Sequence, residues 1–92
     1  MIIDKRNREQ KIDEEVAYAI HIINNELISA NQKHQDTFNS DHEGYAVIKE
    51  ELEEVWDEIK KDNHQLAREE MVQVAAMAVK FVYSSLMREG EV

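Results

Sequence analysis

Apolar residues recur along this chain at three- and four-residue intervals, the spacing of one face of an α-helix. The first such segment covers about residues 11–31, and its stripe consists of Ile12, Val16, Ala19, Ile20, Ile23, Leu27 and Ala30. The second covers about residues 41–61, with Tyr45, Ile48, Leu52, Val55, Trp56 and Ile59. The third, about residues 63–88, is apolar on nearly every side through MVQVAAMAVKFV. The pattern predicts an all-α protein with a three-helix protomer.

Polar residues set the expected helix boundaries. The stretch NQKHQDTFNSD lacks periodicity and predicts the longer connection. It ends in a capping box, with Ser40 as the N-cap of the second helix and Glu43 three residues later. We expect Asp62 or Asn63 to cap the third helix and Gly90 to stop it. Because the second turn is short, the second and third helices should form a tight antiparallel hairpin.

The small size of the chain predicts self-association. With 92 residues, no Pro, two Gly and no Cys, residues 1–92 are expected to form a single helical domain without disulfides. A chain of this length buries only about 60 to 65% of the surface that its unfolded form exposes. The third helix also needs neighbours on most sides. We therefore expect oligomerisation, in which a second subunit supplies part of a four-helix-bundle-like core.

The charge balance limits the classes of partner. With 20 acidic against 11 Lys and Arg residues, the net charge of −9 disfavours binding to nucleic acid polymers and anionic membranes. An anionic substrate would need a divalent cation to screen the carboxylates. The apolar run from Met71 to Val82 is interrupted by Gln73 and Lys80, and the sequence shows no signal peptide. Together with the lack of Cys, these features predict a soluble cytoplasmic protein.

Carboxylates are concentrated beside the apolar stripe of the second helix. Glu51, Glu54 and Glu58 form one strip there, and Glu70 and Gln73 lie one turn apart on the third helix. In a hairpin centred on the predicted turn, Glu54 lies level with Glu70, and Glu51 with Gln73. Four oxygen-bearing side chains would then converge, an arrangement suited to Mg²⁺ or Mn²⁺.

A solvated acidic helix face is the alternative explanation of this strip, because most charged residues are exposed. Glu70 and Gln73 favour the metal site over that alternative. They stand at the start of the most apolar run of the chain, where a carboxylate without a partner is costly to bury.

The segments HEGYAVIKEELEEVWDEIK and REEMVQVAAMAVKF resemble the EExxE and ExxD signature of the MazG-like all-alpha nucleotide pyrophosphohydrolase superfamily. The resemblance covers about half of the chain, residues 42–81. It implies that Glu51, Glu54, Glu70 and Gln73 hold Mg²⁺. At Gln73 the family motif has Asp, and an amide offers a neutral oxygen where a carboxylate brings a charge.

The resemblance also implies an enzymatic reaction, the hydrolysis of a nucleoside triphosphate to the monophosphate and pyrophosphate, of house-cleaning type. The metal would polarise phosphate, while Glu50, Glu54 or Glu58 orients the attacking water. Gln73 leaves an alternative open. Either Glu58 or a water compensates for the missing carboxylate, or the chain is a catalytically degenerate MazG-like helical oligomer that binds a nucleotide or a protein. A helical adaptor without a small-molecule site is a third class.

Four further residues have a functional and a structural interpretation. Lys80 either binds phosphate or packs its stem while its amine reaches water. His42, near a helix N-terminus, either contacts phosphate or serves in capping and loop solvation. Tyr45 and Trp56 keep the apolar spacing of their helix and are expected in the core or at a subunit interface.

Overall fold

A computed structural model describes residues 5–90 of the chain, and these residues form three α-helices with no β-strand. The helices are α1 (Lys5–Lys33), α2 (Asp41–Lys60) and α3 (His64–Arg88). α3 packs against both other helices, whereas α1 and α2 do not pack against each other. The prediction of an all-helical chain is confirmed. Residues 1–4 and 91–92 of the predicted domain lie outside the described range.

The described helices include none with the length and apolar character that crossing a membrane requires.

The predicted start of α1 is wrong, since the helix begins at Lys5 and not near residue 11. The added residues are polar but have high helix propensity, so they extend the helix without contributing to an apolar stripe. α1 also continues two residues beyond the expected end, to Lys33. The bounds of α2 and α3 differ from the predicted ones by one residue.

The two internal helix starts are capped by side chains. The side-chain oxygen of Ser40 accepts a hydrogen bond from the backbone N–H of Glu43 at 3.1 Å. The Glu43 carboxylate is directed at Asn39, accepting from its backbone N–H at 3.4 Å and from its side-chain amide at 3.3 Å. Asn63 caps α3 by accepting from the N–H of Leu66 at 3.3 Å. These bonds satisfy backbone donors that a helix start leaves unpaired.

A residue with left-handed backbone conformation stands before the start of α3, and another stands after its end. Asp62 in the turn before α3 has a φ of 57°, and Gly90 after α3 has a φ of 79°. Glycine adopts this conformation without the steric cost that a Cβ imposes, which explains why Gly90 ends the helix as predicted.

Side chains of α3 attach the connection between α1 and α2 to the helix. The hydroxyl of Ser84, which is only 1% exposed, accepts from the backbone N–H of Phe38 at 2.9 Å. The Tyr83 hydroxyl donates to the carbonyl of Asp36 at 2.6 Å, and Arg88 donates to the carbonyl of Phe38 at 2.8 Å. The backbone of a segment without secondary structure thus finds its partners on α3.

The core is small and lies where this connection meets α3. Phe38, Ala76 and Met77 are buried, and several half-buried residues pack against them: Ile23, Leu27, Ala30, Val47, Ile48 and Phe81. Gly44 allows α2 to approach closely here. A Cβ at Gly44 would lie 2.6 Å from Cδ2 of Phe81 and 3.0 Å from Cδ2 of Phe38, closer than packed atoms tolerate.

Only part of each predicted apolar stripe is buried within the chain. In α1, Ile12, Val16 and Ile20 are 49%, 50% and 60% exposed. In α2, Tyr45 and Trp56 are 65% and 57% exposed, so their assignment to the core of the chain is wrong. Their predicted place at a subunit interface remains a prediction.

Candidate metal centre

Three carboxylates from two helices come together beside the core. α2 presents Glu51 and Glu54 one turn apart, and α3 presents Glu70. One carboxylate oxygen from each lies within 4.8 Å of the other two. Glu54 is exposed, while Glu51 and Glu70 are half-buried. We refer to Glu51, Glu54 and Glu70 as the carboxylate triad.

Two oxygens of the triad are buried without a partner. Oε2 of Glu51 and Oε2 of Glu70 have no hydrogen-bond donor among the described residues. An unsatisfied buried acceptor costs about 1–3 kcal/mol, and more when it is charged. A divalent cation fits this donor set, because Mg²⁺ and Mn²⁺ prefer carboxylate oxygens and would neutralise charges that otherwise repel.

Burial and mutual repulsion change the ionisation of the triad. Burial, together with the negative charges of Glu54 and Glu70, raises the pKa of Glu51 to about 7. Burial also raises the pKa of Glu70, and the neighbouring negative charges of Glu54 and Glu58 act in the same direction. Without a cation, the folded chain therefore retains protons here that ordinary glutamates release.

The predicted fourth ligand, Gln73, opens onto the same cavity as Glu51 of the triad. Gln73 and Glu51 both line a cavity of about 590 Å³. Each helix contributes one stripe of residues to its wall, and the connection contributes Phe38 and its neighbours. The stripes consist of Glu26, Ala30 and Lys33 in α1, Glu43, Val47 and Glu51 in α2, and Gln73, Met77 and Lys80 in α3. This cavity offers space for a ligand of the triad.

The two residues predicted to orient water differ in their surroundings. Glu58 is half-buried, its carboxylate lies 3.8 Å from the Lys61 amine, and its charge contributes to the raised pKa of Glu70. Glu50 is exposed, and its charge contributes to the raised pKa of Glu51. Both therefore lie beside the triad, on opposite sides along α2.

Lys80 is buried and bonded within the protein, while its predicted contact with phosphate stays a prediction. It is only 4% exposed, so the prediction that its amine reaches water is wrong. Nζ donates to the carbonyl of Gln35 and lies 4.9 Å from the centre of the Phe38 ring. Burial lowers the pKa of Lys80, against the opposing effect of Asp36 and Glu43. A phosphate-binding role for this amine would require it to leave those contacts.

His42 lies in a different place from the other predicted substrate-binding residue. It lines an apolar groove of about 550 Å³ with Tyr45 and Phe81, among others, and not the cavity that Lys80 lines. The structure thus does not bring His42 and Lys80 to a common surface. Contact between His42 and phosphate remains a prediction, and no triad residue lines the groove that contains His42.

Sequence reasoning missed the residues that the end of α1 and the connection add to the cavity. Lys33, His34 and Thr37 line it together with Phe38. The connection has no periodicity, and its path depends on bonds to α3 that are distant in sequence. The polar composition of the segment was the one available signal.

The chain matches no protein-family model, no curated protein and no solved structure.

The raised pKa of Glu51 predicts how stability depends on pH. The ordinary pKa is 4.5 and the folded-state pKa is about 7, so the unfolded chain releases this proton first as the pH rises. The protonated Glu51 side chain therefore contributes stability that is present in full below pH 4.5 and is lost as the pH rises through about 7. In the presence of a chelator, Glu51→Gln should raise the unfolding temperature at pH 8 and change it little at pH 5.

The matched control for Glu51→Gln is Glu53→Gln, at an exposed position of the same helix. It should leave the unfolding temperature nearly unchanged at both pH values. If Glu51→Gln lowered the unfolding temperature at pH 8, the unfavourable burial of its charge would be refuted.

Proposed function

We propose that this protein is a metal-dependent nucleoside triphosphate pyrophosphohydrolase. It binds Mg²⁺ or Mn²⁺ at Glu51, Glu54 and Glu70, with Gln73 as a neutral fourth ligand. It converts a nucleoside or deoxynucleoside triphosphate to the monophosphate and pyrophosphate. The resemblance of the glutamate motif to the MazG-like superfamily supplies the reaction class.

The observation that carries the proposal is the combination of close carboxylates with buried acceptors that lack donors. The triad oxygens lie within 4.8 Å of one another, and Oε2 of both Glu51 and Glu70 is buried and unpaired. A solvated acidic face would keep its carboxylates apart and hydrated. The adjoining cavity of about 590 Å³ is large enough for a small-molecule ligand.

The side chains around the triad have separate tasks in the proposed reaction. A bound divalent cation supplies positive charge, which polarises phosphate and favours ionisation of water. Glu58, half-buried beside Glu70, accepts the proton of the water that attacks phosphorus. The phosphoanhydride bond between the α and β phosphates breaks, and pyrophosphate leaves. Glu50, which is exposed at the other end of the triad, is the alternative residue for orienting this water.

Release of pyrophosphate and of phosphate should be measured with a panel of canonical and modified nucleoside triphosphates in Mg²⁺ or Mn²⁺. We expect the parent to release pyrophosphate. Glu54→Gln should lower the rate of this release at least about 100-fold, because the triad loses one of its three carboxylates. Glu53→Gln, which removes a neighbouring exposed charge, should retain parental activity. Equal activity of Glu54→Gln and the parent would refute the site.

Gln73 motivates a second candidate function, a catalytically degenerate protein that binds a nucleotide or a protein partner. An amide brings no negative charge to the cation, so affinity is weaker than with Asp. Gln73→Asp separates the two functions. A large gain of hydrolysis over an inert parent would favour the degenerate protein, and an active parent would eliminate it.

The proposed enzyme is a homodimer or homotetramer in which α2 and α3 form an antiparallel hairpin. Copies pack through apolar side chains that the single chain leaves open, and a four-helix-bundle-like core results. The exposed residues that support this are Ile12, Val16, Ile20, Leu52, Trp56, Ile59, Met71, Val79 and Val82. Exposed apolar side chains in this number are typical of a chain that buries them against another copy. A sedimentation mass equal to that of one chain would contradict the assembly.

A further inference from the structure

The cavity next to the carboxylate triad has cationic residues along part of its wall. Lys80 on α3 lies seven residues beyond Gln73, which corresponds to about 10 Å along the helix. Its amine bonds to Gln35 in the connection, which directly follows Lys33 and His34. Lys80 thus lies about two helical turns from the level of Gln73. The residues named here that line the cavity are Lys33, His34, Gln35, Gln73 and Lys80.

Among these cations, Lys80 is already engaged by the protein. Its amine is bonded to the carbonyl of Gln35, lies over the Phe38 ring and is almost fully buried. Releasing it toward a ligand would break this hydrogen bond and the contact with the Phe38 ring. Lys80 therefore serves to fix the connection that forms the cavity wall.

Lys33 is in the opposite situation. It is exposed in the last turn of α1, and its amine takes part in none of the ion pairs found within residues 7–90. The acidic residues of the cavity wall are Glu26, Glu43 and Glu51, and none of them forms an ion pair with Lys33. The Lys33 amine is thus free to pair with an anion that enters the cavity.

We propose that Lys33 binds the distal anionic group of an elongated phosphate ligand whose other end lies at the carboxylate triad. The inference rests on the proposed function, since a cation at the triad must hold the first phosphate. It assigns to Lys33 the contact that the sequence suggested for Lys80. A lysine in this position suits a polyphosphate chain, because its flexible stem delivers a point charge to phosphate.

A favourable interaction with the negative end of the α1 dipole is the competing explanation of Lys33. That role needs a positive charge but no ligand, so it affects the stability of α1 and leaves anion affinity unchanged. Anion affinity therefore distinguishes the two roles.

The experiment compares tripolyphosphate with orthophosphate, titrated by calorimetry in millimolar Mn²⁺. Lys33→Gln should bind tripolyphosphate about tenfold more weakly than the parent, as expected for loss of one charge-assisted contact. Affinity for orthophosphate should not change, because the proposal places the first phosphate at the triad and only the distal anionic group at Lys33. Lys33→Arg, which keeps the charge, should recover most of the affinity.

Lys49→Gln is the matched control, because Lys49 is exposed on α2 and does not line the cavity. It should bind tripolyphosphate as the parent does. Equal tripolyphosphate affinity of Lys33→Gln and Lys49→Gln would overturn the role of Lys33, and so would a parent that binds Mn²⁺ but not tripolyphosphate. Mn²⁺ titration without anion tests the triad separately. A parent that binds neither Mn²⁺ nor tripolyphosphate would overturn the proposed function and this inference together.

Discussion

The attachment of the connection between α1 and α2 to α3 is the interaction on which the structure depends. α1 and α2 do not pack against each other, so their relative position is set through α3 and through this segment. The buried Ser84 hydroxyl accepts from the N–H of Phe38, and this bond places the Phe38 ring in the core. Gly44 then lets α2 approach the Phe38 and Phe81 rings. The same segment closes the cavity beside the triad. Fold and candidate site therefore share one structural element.

The carboxylate triad is unfavourable in the metal-free chain, and this cost is informative. Burial of Glu51 and Glu70 beside Glu54 raises their pKa values and leaves two oxygens without donors. Such an arrangement weakens the folded state near neutral pH unless protons or a cation neutralise it. Residues that reduce stability without a structural benefit are typical of functional sites. The raised pKa values and the unpaired oxygens thus support the same interpretation as the glutamate motif.

The sequence predicted the parts of this protein that depend on local periodicity. Three helices, the caps Ser40 and Asn63 and the stop at Gly90 follow from spacing and from short-range hydrogen bonding. The prediction that Glu54 lies level with Glu70 required only the rise per residue, which is the same in two packed helices. Long-range contacts could not be predicted in this way. The burial of Lys80 depends on a carbonyl 45 residues away, and the path of the connection depends on Ser84. The exposure of Trp56 reflects apolar positions that the single chain does not cover.

Binding of Mn²⁺ to the parent chain, followed by calorimetry near neutral pH in two buffers of different ionisation enthalpy, tests the central claim most directly. The account predicts one saturable site per chain and a release of protons on binding, because Glu51 must give up the proton that the folded chain retains near neutral pH. The buffer dependence of the heat reports that release. No saturable binding at millimolar Mn²⁺, or binding that persists unchanged when all three triad carboxylates are replaced by amides, would contradict the account.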